Sequence, residues 1–535
     1  MTKFTLQHLL SFLLISIGLM TTMTLGFVPL INIFETFMEP TYLLLYWAPF
    51  GISCIILGFF IDKVKNKENL CFSFVIWGFL IIGLIYVIPN VLLTLIFVVL
   101  AAIITAVNTI IAASYISSNI QMNRRGFITS IYLGIGWVFV AGSAYLSFLN
   151  IYLNLAFLGS INIAVGLICY GIFQSGKAAL TWEQQMIIPR DYNVKRNGQI
   201  FYFSTLVFGM FLGIIVFLLG TSGRLEEAMA SFYLENIEYY YDAVASFGFG
   251  THLANFDFLA IGALTALLSP IIGKMIDKIG RKTIFFLGNM IIPTVLILFA
   301  FWTNLILLAF SVFLYAAVVT IFVVINCNVW SDLSPAGKIA RFNGYGWSSL
   351  GLGGASGFLI GYLITSPSVI ENIDVLVIIT IILVSELSLI PFVLMKESLP
   401  PSEELEWSKE IIQLFVISIS GIVMTSYSFE EQSTLENPDL FSGGISGVTM
   451  ILKEMTDSQE KLKIIDHEDK KLLFEYGENF FTTLVTRKAL KILRTKLADL
   501  TAEIEGVFWE TIASWNGNLE VFTPLKTMIR NYFVQ

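Results

Sequence analysis

Two widely separated stretches carry the residues best placed for reversible electrostatic chemistry. Gly58-Phe-Phe-Ile-Asp62-Lys-Val-Lys-Asn-Lys67 and Gly273-Lys-Met-Ile-Asp277-Lys-Ile-Gly-Arg-Lys282 align without a gap at an offset of 215 residues. Both read Gly-x-x-Ile-Asp-Lys-(Val/Ile)-x-x-Lys. Gly58 and Gly273 remove a side chain where two helices can cross closely. Asp62 and Asp277 place a carboxylate at the end of an apolar segment, where a neighbouring helix N-terminus or a cation can hold it. Arg281 is the expected local cation of the second copy, with Lys65 or Lys67 a looser substitute in the first. Arg125 and Arg341, 216 residues apart and each near a glycine-rich segment, are candidates for the matching contacts. The chemistry these residues offer is a latch that can make and break without covalent change.

Two further carboxylates, Asp257 and Glu386, lie inside apolar runs. Either is a candidate for proton coupling, because a desolvated carboxylate takes up a proton more readily. Glu386 can equally be a neutral acid bonded to Ser385 or Ser388. No Lys or Arg lies within an apolar run, which argues against an embedded cation pair for dianionic solutes. No nucleotide-binding loop, nucleophile triad or metal-ligand spacing is present, so neither an enzyme nor a bound cofactor or metal is expected. Cys54, Cys71, Cys169 and Cys327 read as small apolar core residues.

The elements that position these residues are membrane helices. Of 535 residues, 56% are hydrophobic and only 13% charged. Roughly 20 apolar residues span a bilayer as a helix, and a backbone in lipid must satisfy its own hydrogen bonds. Twelve spans are expected, at 8–33, 41–61, 70–88, 91–119, 127–148, 151–174, 200–219, 252–272, 283–302, 304–329, 345–366 and 373–396. The cations fall in alternate turns: Lys63, Lys65 and Lys67; Arg124 and Arg125; Lys177 to Arg196; Lys274 to Lys282; Lys338 and Arg341. This places those turns and both termini in the cytoplasm of a multi-pass plasma-membrane protein. Because both copies of the repeated turn then face the same side, the repeat is parallel, about the membrane normal. The bundle divides into a half at 1–175, a polar cytoplasmic loop at 176–199 and a second half at 200–397. The long outer turn 220–250, rich in Glu and Tyr, reads as a solvated loop with interfacial tyrosines or as a short amphipathic cap.

After Lys396 the pattern changes. A polar linker at 398–409, with Pro400 and Pro401, precedes a segment at 410–535 in which no run reaches membrane length. Strand-like runs at 411–418, 422–429, 462–466, 472–476 and 480–485 combine with helical spacing at 440–455, 488–505 and 519–533. The order β-β-α-β-β-β-α-α describes an α+β domain with a five-stranded antiparallel sheet. Residues 401–535 carry 13 Lys/Arg against 21 Asp/Glu, so the whole net charge of −8 sits there. Such an acidic segment is not expected to bind nucleic acid or lie on an anionic leaflet.

Gly273-x-x-x-Asp277-x-x-Gly280-Arg281-Lys282 resembles the inner-turn signature of the major facilitator superfamily. The first copy keeps Gly58 and Asp62 but has Lys65 and Asn66 where the second has Gly280 and Arg281. The resemblance implies an all-α bundle of two six-helix halves that rock about a central cavity, with the aspartate latch favouring the outward-open state. It also implies a cavity lined from the first, fourth, seventh and tenth spans, whose polar residues are Thr21, Thr24, Asn32, Asn108, Tyr202, Ser204, Tyr315 and Asn326. Neutral hydrogen-bonding groups of this kind suit a small neutral or weakly acidic organic solute. Gly344, Gly346, Gly351, Gly353, Gly354, Gly357 and Gly361 crowd the eleventh span, as close helix packing or bending would require. The Gly-Pro-Gly-Gly antiporter signature is absent from Leu133–Gly142, against a drug/proton antiporter.

The C-terminal segment resembles longin/roadblock domains in its element order and in Leu414-Phe-Val-Ile-Ser-Ile-Ser-Gly421. That resemblance implies self-association or docking of a protein partner such as a small GTPase, without catalysis, and the fusion suggests an archaeal source. The expected partners are therefore the lipid bilayer, a small-molecule solute and a protein or second copy at the C-terminal domain. The expected function is transport by alternating access; the rival is a non-transporting sensor or scaffold whose C-terminal domain docks the partner.

Overall fold

The computed structural model describes residues 6–26, 29–30, 33, 40–120, 122–175, 194–220, 253–300, 305–335, 337–364, 397–398, 404, 407–430, 440, 442–445, 447–448, 451, 462–467, 469–515 and 517–533. The chain divides into two compact units, a helical one up to residue 399 and an α+β one from residue 400.

The helical unit contains α1 (Leu6–Thr24), α2 (Leu44–Ile61), α3 (Phe72–Val87), α4 (Val91–Asn119), α5 (Arg125–Leu149) and α6 (Ile151–Gln174). It continues with α7 (Val194–Gly220), α8 (Leu253–Ile279), α9 (Arg281–Ala300), α10 (Leu305–Leu333) and α11 (Ile339–Ile364). Among the described residues nine of these helices are long and apolar enough to cross a membrane. The twelfth expected span, 373–396, lies outside the described residues, as do residues 221–250 of the outer turn 220–250 and residues 176–193 of the loop 176–199. The outward surface is apolar: Phe60, Phe79, Leu92, Leu267 and Ile271 are all exposed. Inside, Thr, Ser and Asn side chains are buried and bonded. That inversion suits a lipid solvent, which has no water to satisfy polar groups.

Several boundaries differ from the hydropathy reading, each for a local reason. The first helix ends at Thr24 rather than near 33, with Gly26 and Pro29 just beyond it. Helix α8 runs on through Asp277, α10 through Asp332, and α11 begins six residues early, before Arg341. Hydropathy ends a span at its first charge, whereas here the backbone ladder continues past charges, Asp277 half-buried and Asp332 buried.

The packing repeats itself. Helix α5 lies along α8 and α2 lies along α11; α4 meets α11 as α10 meets α5. Advancing each helix by six positions converts one contact of each pair into the other. The duplication read from the turn motif is thus present in the helix packing.

The second unit is a five-stranded antiparallel sheet of order β2-β1-β5-β4-β3. The strands are β1 (Ile411–Ser418), β2 (Val423–Ser428), β3 (Ile464–His467), β4 (Lys470–Tyr476) and β5 (Phe480–Thr486). Helices α12 (Lys491–Ala513) and α13 (Thr523–Phe533) follow. Leu414, Val416 and Leu484 on one face pack with Leu493, Leu497, Leu500 and Ile529. Phe415, Ile417, Phe474 and Phe481 form a second layer with Ile445 on the other face. Strand β1 is buried along its entire length because it carries a core on each side. The β1–β2 turn needs Gly421, whose φ of 87° is left-handed.

Candidate functional site

The repeated aspartates each cap a helix that belongs to the other group. Asp62, just past the end of α2, accepts hydrogen bonds from the backbone N–H of Ala340 and Arg341, both at 3.0 Å, in the first turn of α11. Asp277, in the last turn of α8, accepts from the N–H of Gly126 and Phe127, both at 2.8 Å, in the first turn of α5. The recipient helices have no acceptor side chain of their own at the start: Arg124 precedes α5 and Lys338 precedes α11. A carboxylate satisfies two orphan donors at each start and meets the positive end of the helix dipole.

The signature glycines allow this approach. A Cβ on Gly58 would lie 3.0 Å from the Ala340 carbonyl oxygen, and one on Gly273 would lie 2.6 Å from that of Gly126. Burial pushes the Asp62 carboxyl above its usual range, against the lowering by the two amides, Arg341 and Lys67.

Beside the Asp277 cap lies a buried ion cluster. Asp332, at the end of α10, bridges Arg125 of α5 and Arg281 of α9. All three are buried, at 3% exposure or less. Arg125 also donates to the Ile120 carbonyl at 3.2–3.3 Å, and Arg281 to that of Met122 at 3.1 Å. Arg281 has Asp332 as an ion-pair partner, and Asp277, held by helix amides, also feels the charges of Arg281 and Arg125. Asp332 was missed because the tenth span was expected to end at 329, which left it as an ordinary turn residue.

The ion cluster is one-sided. Moving Arg125, Asp332 and Arg281 by the 215-residue offset of the aspartates leads to Ala340, Ser117 and Asn66, none of them charged. Arg341, next to Ala340, lies over the Phe59 ring, 4.1 Å from its centroid, and has no salt bridge among the described residues. Ser117 bonds Ser331 at 2.5 Å instead of holding a cation. Lys65, the other expected latch cation, is exposed.

A neutral polar seam continues from the ion cluster. Asn343 of α11 donates to Ser114 of α4 at 3.2 Å and to Ser331 of α10 at 3.1 Å. Thr129 of α5 donates to the Asn328 side-chain oxygen at 3.3 Å. None of Ser114, Ser117, Thr129, Asn328, Ser331 and Asn343 was singled out from sequence. Their common signal is a small polar residue near the charged end of a span.

Gly280 has a φ of 109°, and a Cβ there would meet the Glu397 carboxylate at 2.6 Å. Glu397 accepts from the N–H of Arg281 at 3.2 Å and of Lys282 at 2.9 Å, capping α9 as the aspartates cap α5 and α11.

The expected cavity residues are not gathered by their bonds into one cluster. Thr21 donates to Ile17 and accepts from Asn162 at 3.0 Å, and Thr24 back-bonds to Met20. Asn108 accepts from Ser73 at 2.5 Å, and Asn326 from Trp330 at 3.0 Å. Tyr202 accepts from Ser348 at 3.4 Å; Ser204 and Tyr315 are buried. Asn32, Glu386 and the side chain of Asp257 lie outside the described residues.

No family model matches the sequence, and no curated protein matches it. Solved structures do match the fold. A bacterial homologue of the iron transporter ferroportin, in an outward-facing state, gives a TM-score of 0.50 at 13% identity, over 73% of this chain and 98% of that one. The human organic anion transporter MFSD10 gives 0.49 at 12% identity, over 72% and 98%. The nucleoside transporter NupG gives 0.49 at 13% identity, over 72% and 98%. The helical unit is therefore similar in fold to the bacterial ferroportin homologue.

Proposed function

We propose that this chain is a plasma-membrane transporter that moves a small organic solute by alternating access, without catalysis, and that its C-terminal domain has a regulatory or assembly role. The observation that carries this reading is the reciprocal capping: Asp62 holds α11 and Asp277 holds α5, each across the boundary between duplicated helix groups. Each cap is worth about 0.3–1 kcal/mol when exposed, rising to about 2 when partly buried. Energies of that size can hold a face shut and release it within a cycle. With the termini in the cytoplasm, the sealed seam is the cytoplasmic gate, and both groups swing apart there to release solute inward. Gly58, Asp62, Gly273, Asp277, Gly280, Arg281, Arg125 and Arg341 form the latch in this reading. Asp257 and Glu386 remain the candidates for proton coupling, and a longin/roadblock-like module is the reading of the C-terminal domain that its strand and helix order supports. Uptake into proteoliposomes should be measured for a broad panel of organic acids, nucleosides and sugars, with and without a pH gradient. Saturable flux of one class is expected, and absence of flux for every class refutes transport.

A further inference from the structure

The outward faces of α2 and α8 repeat each other residue by residue. Ile52, Ile56, Phe60 and Lys63 fall on Leu267, Ile271, Met275 and Lys278 at the 215-residue offset of the aspartates. All eight are exposed, the six apolar ones at 40–71%. Steps of four, four and three residues keep each set on one side of its helix. The opposite side of α8 is packed, with Thr265, Ser269, Ile272 and Ile276 buried. From Leu267 to Lys278 the helix rises about 16 Å, at about 1.5 Å per residue. That is close to half of the roughly 30 Å hydrocarbon core. The α8 stripe therefore has the length of one leaflet and ends in a cation where lipid headgroups begin.

The two copies differ beside that cation. Where α2 has Phe59, half-buried beneath Arg341, α8 has an exposed Lys274. Lys274 and Lys278 stand four residues apart on one side of the helix, with Cβ atoms about 5–6 Å apart, and like charges at that spacing repel. Neither has a salt bridge among the described residues. The neighbouring carboxylates are engaged elsewhere: Asp277 faces the α5 amides, and Glu397 faces those at the start of α9. An anionic oxygen between the two ammonium groups would replace repulsion by charge-assisted hydrogen bonds. We propose that this side of α8 seats one anionic phospholipid, its phosphate between Lys274 and Lys278 and an acyl chain along Met275, Ile271 and Leu267. The α2 stripe lacks the second lysine and holds lipid with less preference for charge. This seat goes beyond the proposed transport and requires no solute, so it stands or falls separately.

The test is native mass spectrometry of the full-length chain in detergent micelles, titrated with phosphatidylglycerol or with phosphatidylcholine of the same acyl chains. The parent is expected to bind its first phosphatidylglycerol more tightly than its first phosphatidylcholine. A lysine beside an anionic headgroup contributes about fivefold, so Lys274→Gln with Lys278→Gln should cut that preference by about 25-fold. Lys274→Arg with Lys278→Arg keeps both charges and should keep the preference. Lys63→Gln should leave most of it. Glycerol phosphate, which has the headgroup charge without a chain, should not displace the lipid. Equal binding of the two lipids by the parent overturns the inference, as does an unchanged preference in the glutamine pair. So does a loss in the arginine pair, a loss of equal size in Lys63→Gln, or displacement by glycerol phosphate.

Discussion

Asp332→Asn is expected to open the sealed face of the bundle. The substitution leaves Arg125 and Arg281, 1% and 0% exposed, facing each other without their shared carboxylate. Removing one partner of a buried ion pair typically costs about 3–5 kcal/mol. That cost falls on the closed arrangement alone, because opening admits water to both guanidinium groups. At about 1.4 kcal/mol per tenfold, the closed-to-open ratio should fall by on the order of a hundredfold or more. Spin labels at Lys63 and Lys338, both exposed and on opposite helix groups, report the separation by pulsed dipolar spectroscopy. The four native cysteines are buried and will not compete for label. The parent should give one short distance, and the variant a broad, longer population. Replacing the whole cluster, with Arg125→Met, Arg281→Met and Asp332→Leu, should restore the short distance, since a buried charge set exchanged for apolar groups of similar volume is commonly neutral. An unchanged distance in Asp332→Asn, or a triple variant more open than the single one, refutes this reasoning.

Gly273→Ala should loosen the closed face more than Gly58→Ala, because its Cβ would meet Ser130 and the Gly126 carbonyl at 2.6 Å where that of Gly58 finds contacts of 3.0–3.1 Å; the same label pair measures both. Asp277→Ala leaves the Gly126 and Phe127 amides uncapped and should cost the closed state about 0.5–2 kcal/mol, read as a smaller closed fraction. In the C-terminal domain Leu497→Ala removes a side chain buried between sheet and helix and should cost about 2–5 kcal/mol, measured by proteolysis of the full-length chain in increasing urea.

The periodic features were legible in the sequence. The turn motif located both caps, the offset revealed the duplication, and alternating runs gave all five strands. What could not be read were groups whose meaning depends on partners far along the chain. Asp332 is 207 residues from Arg125, and Asp62 is 278 from Ala340. A charged residue beside an apolar run looks like a span boundary, whichever face it ends on. Only the crossing of α5, α9 and α10 shows that Asp332 is buried and that Arg281 pairs with it. The same limit applies to the polar residues of α1 and α4. Thr21, Thr24 and Asn108 looked available for a solute, yet each satisfies a bond inside its own helix group, the commonest fate of a polar side chain where water is absent.

Duplication supplies two equivalent hinges, and this chain has made them unequal. The carboxylate caps are kept on both sides, so both groups retain a reversible grip on each other. The buried ion cluster is kept on one side only, with Ser117, Asn66 and Ala340 in the equivalent places. Two such clusters would double the desolvation to be undone and remade in the proposed cycle, with Coulomb attraction offsetting it only when the geometry is right. One cluster concentrates that sensitivity at α5, α9 and α10, and the neutral Ser and Asn seam closes the remainder at low electrostatic cost. The helix that contributes Arg281 is also the one whose first turn is clasped by Glu397, at the root of the linker.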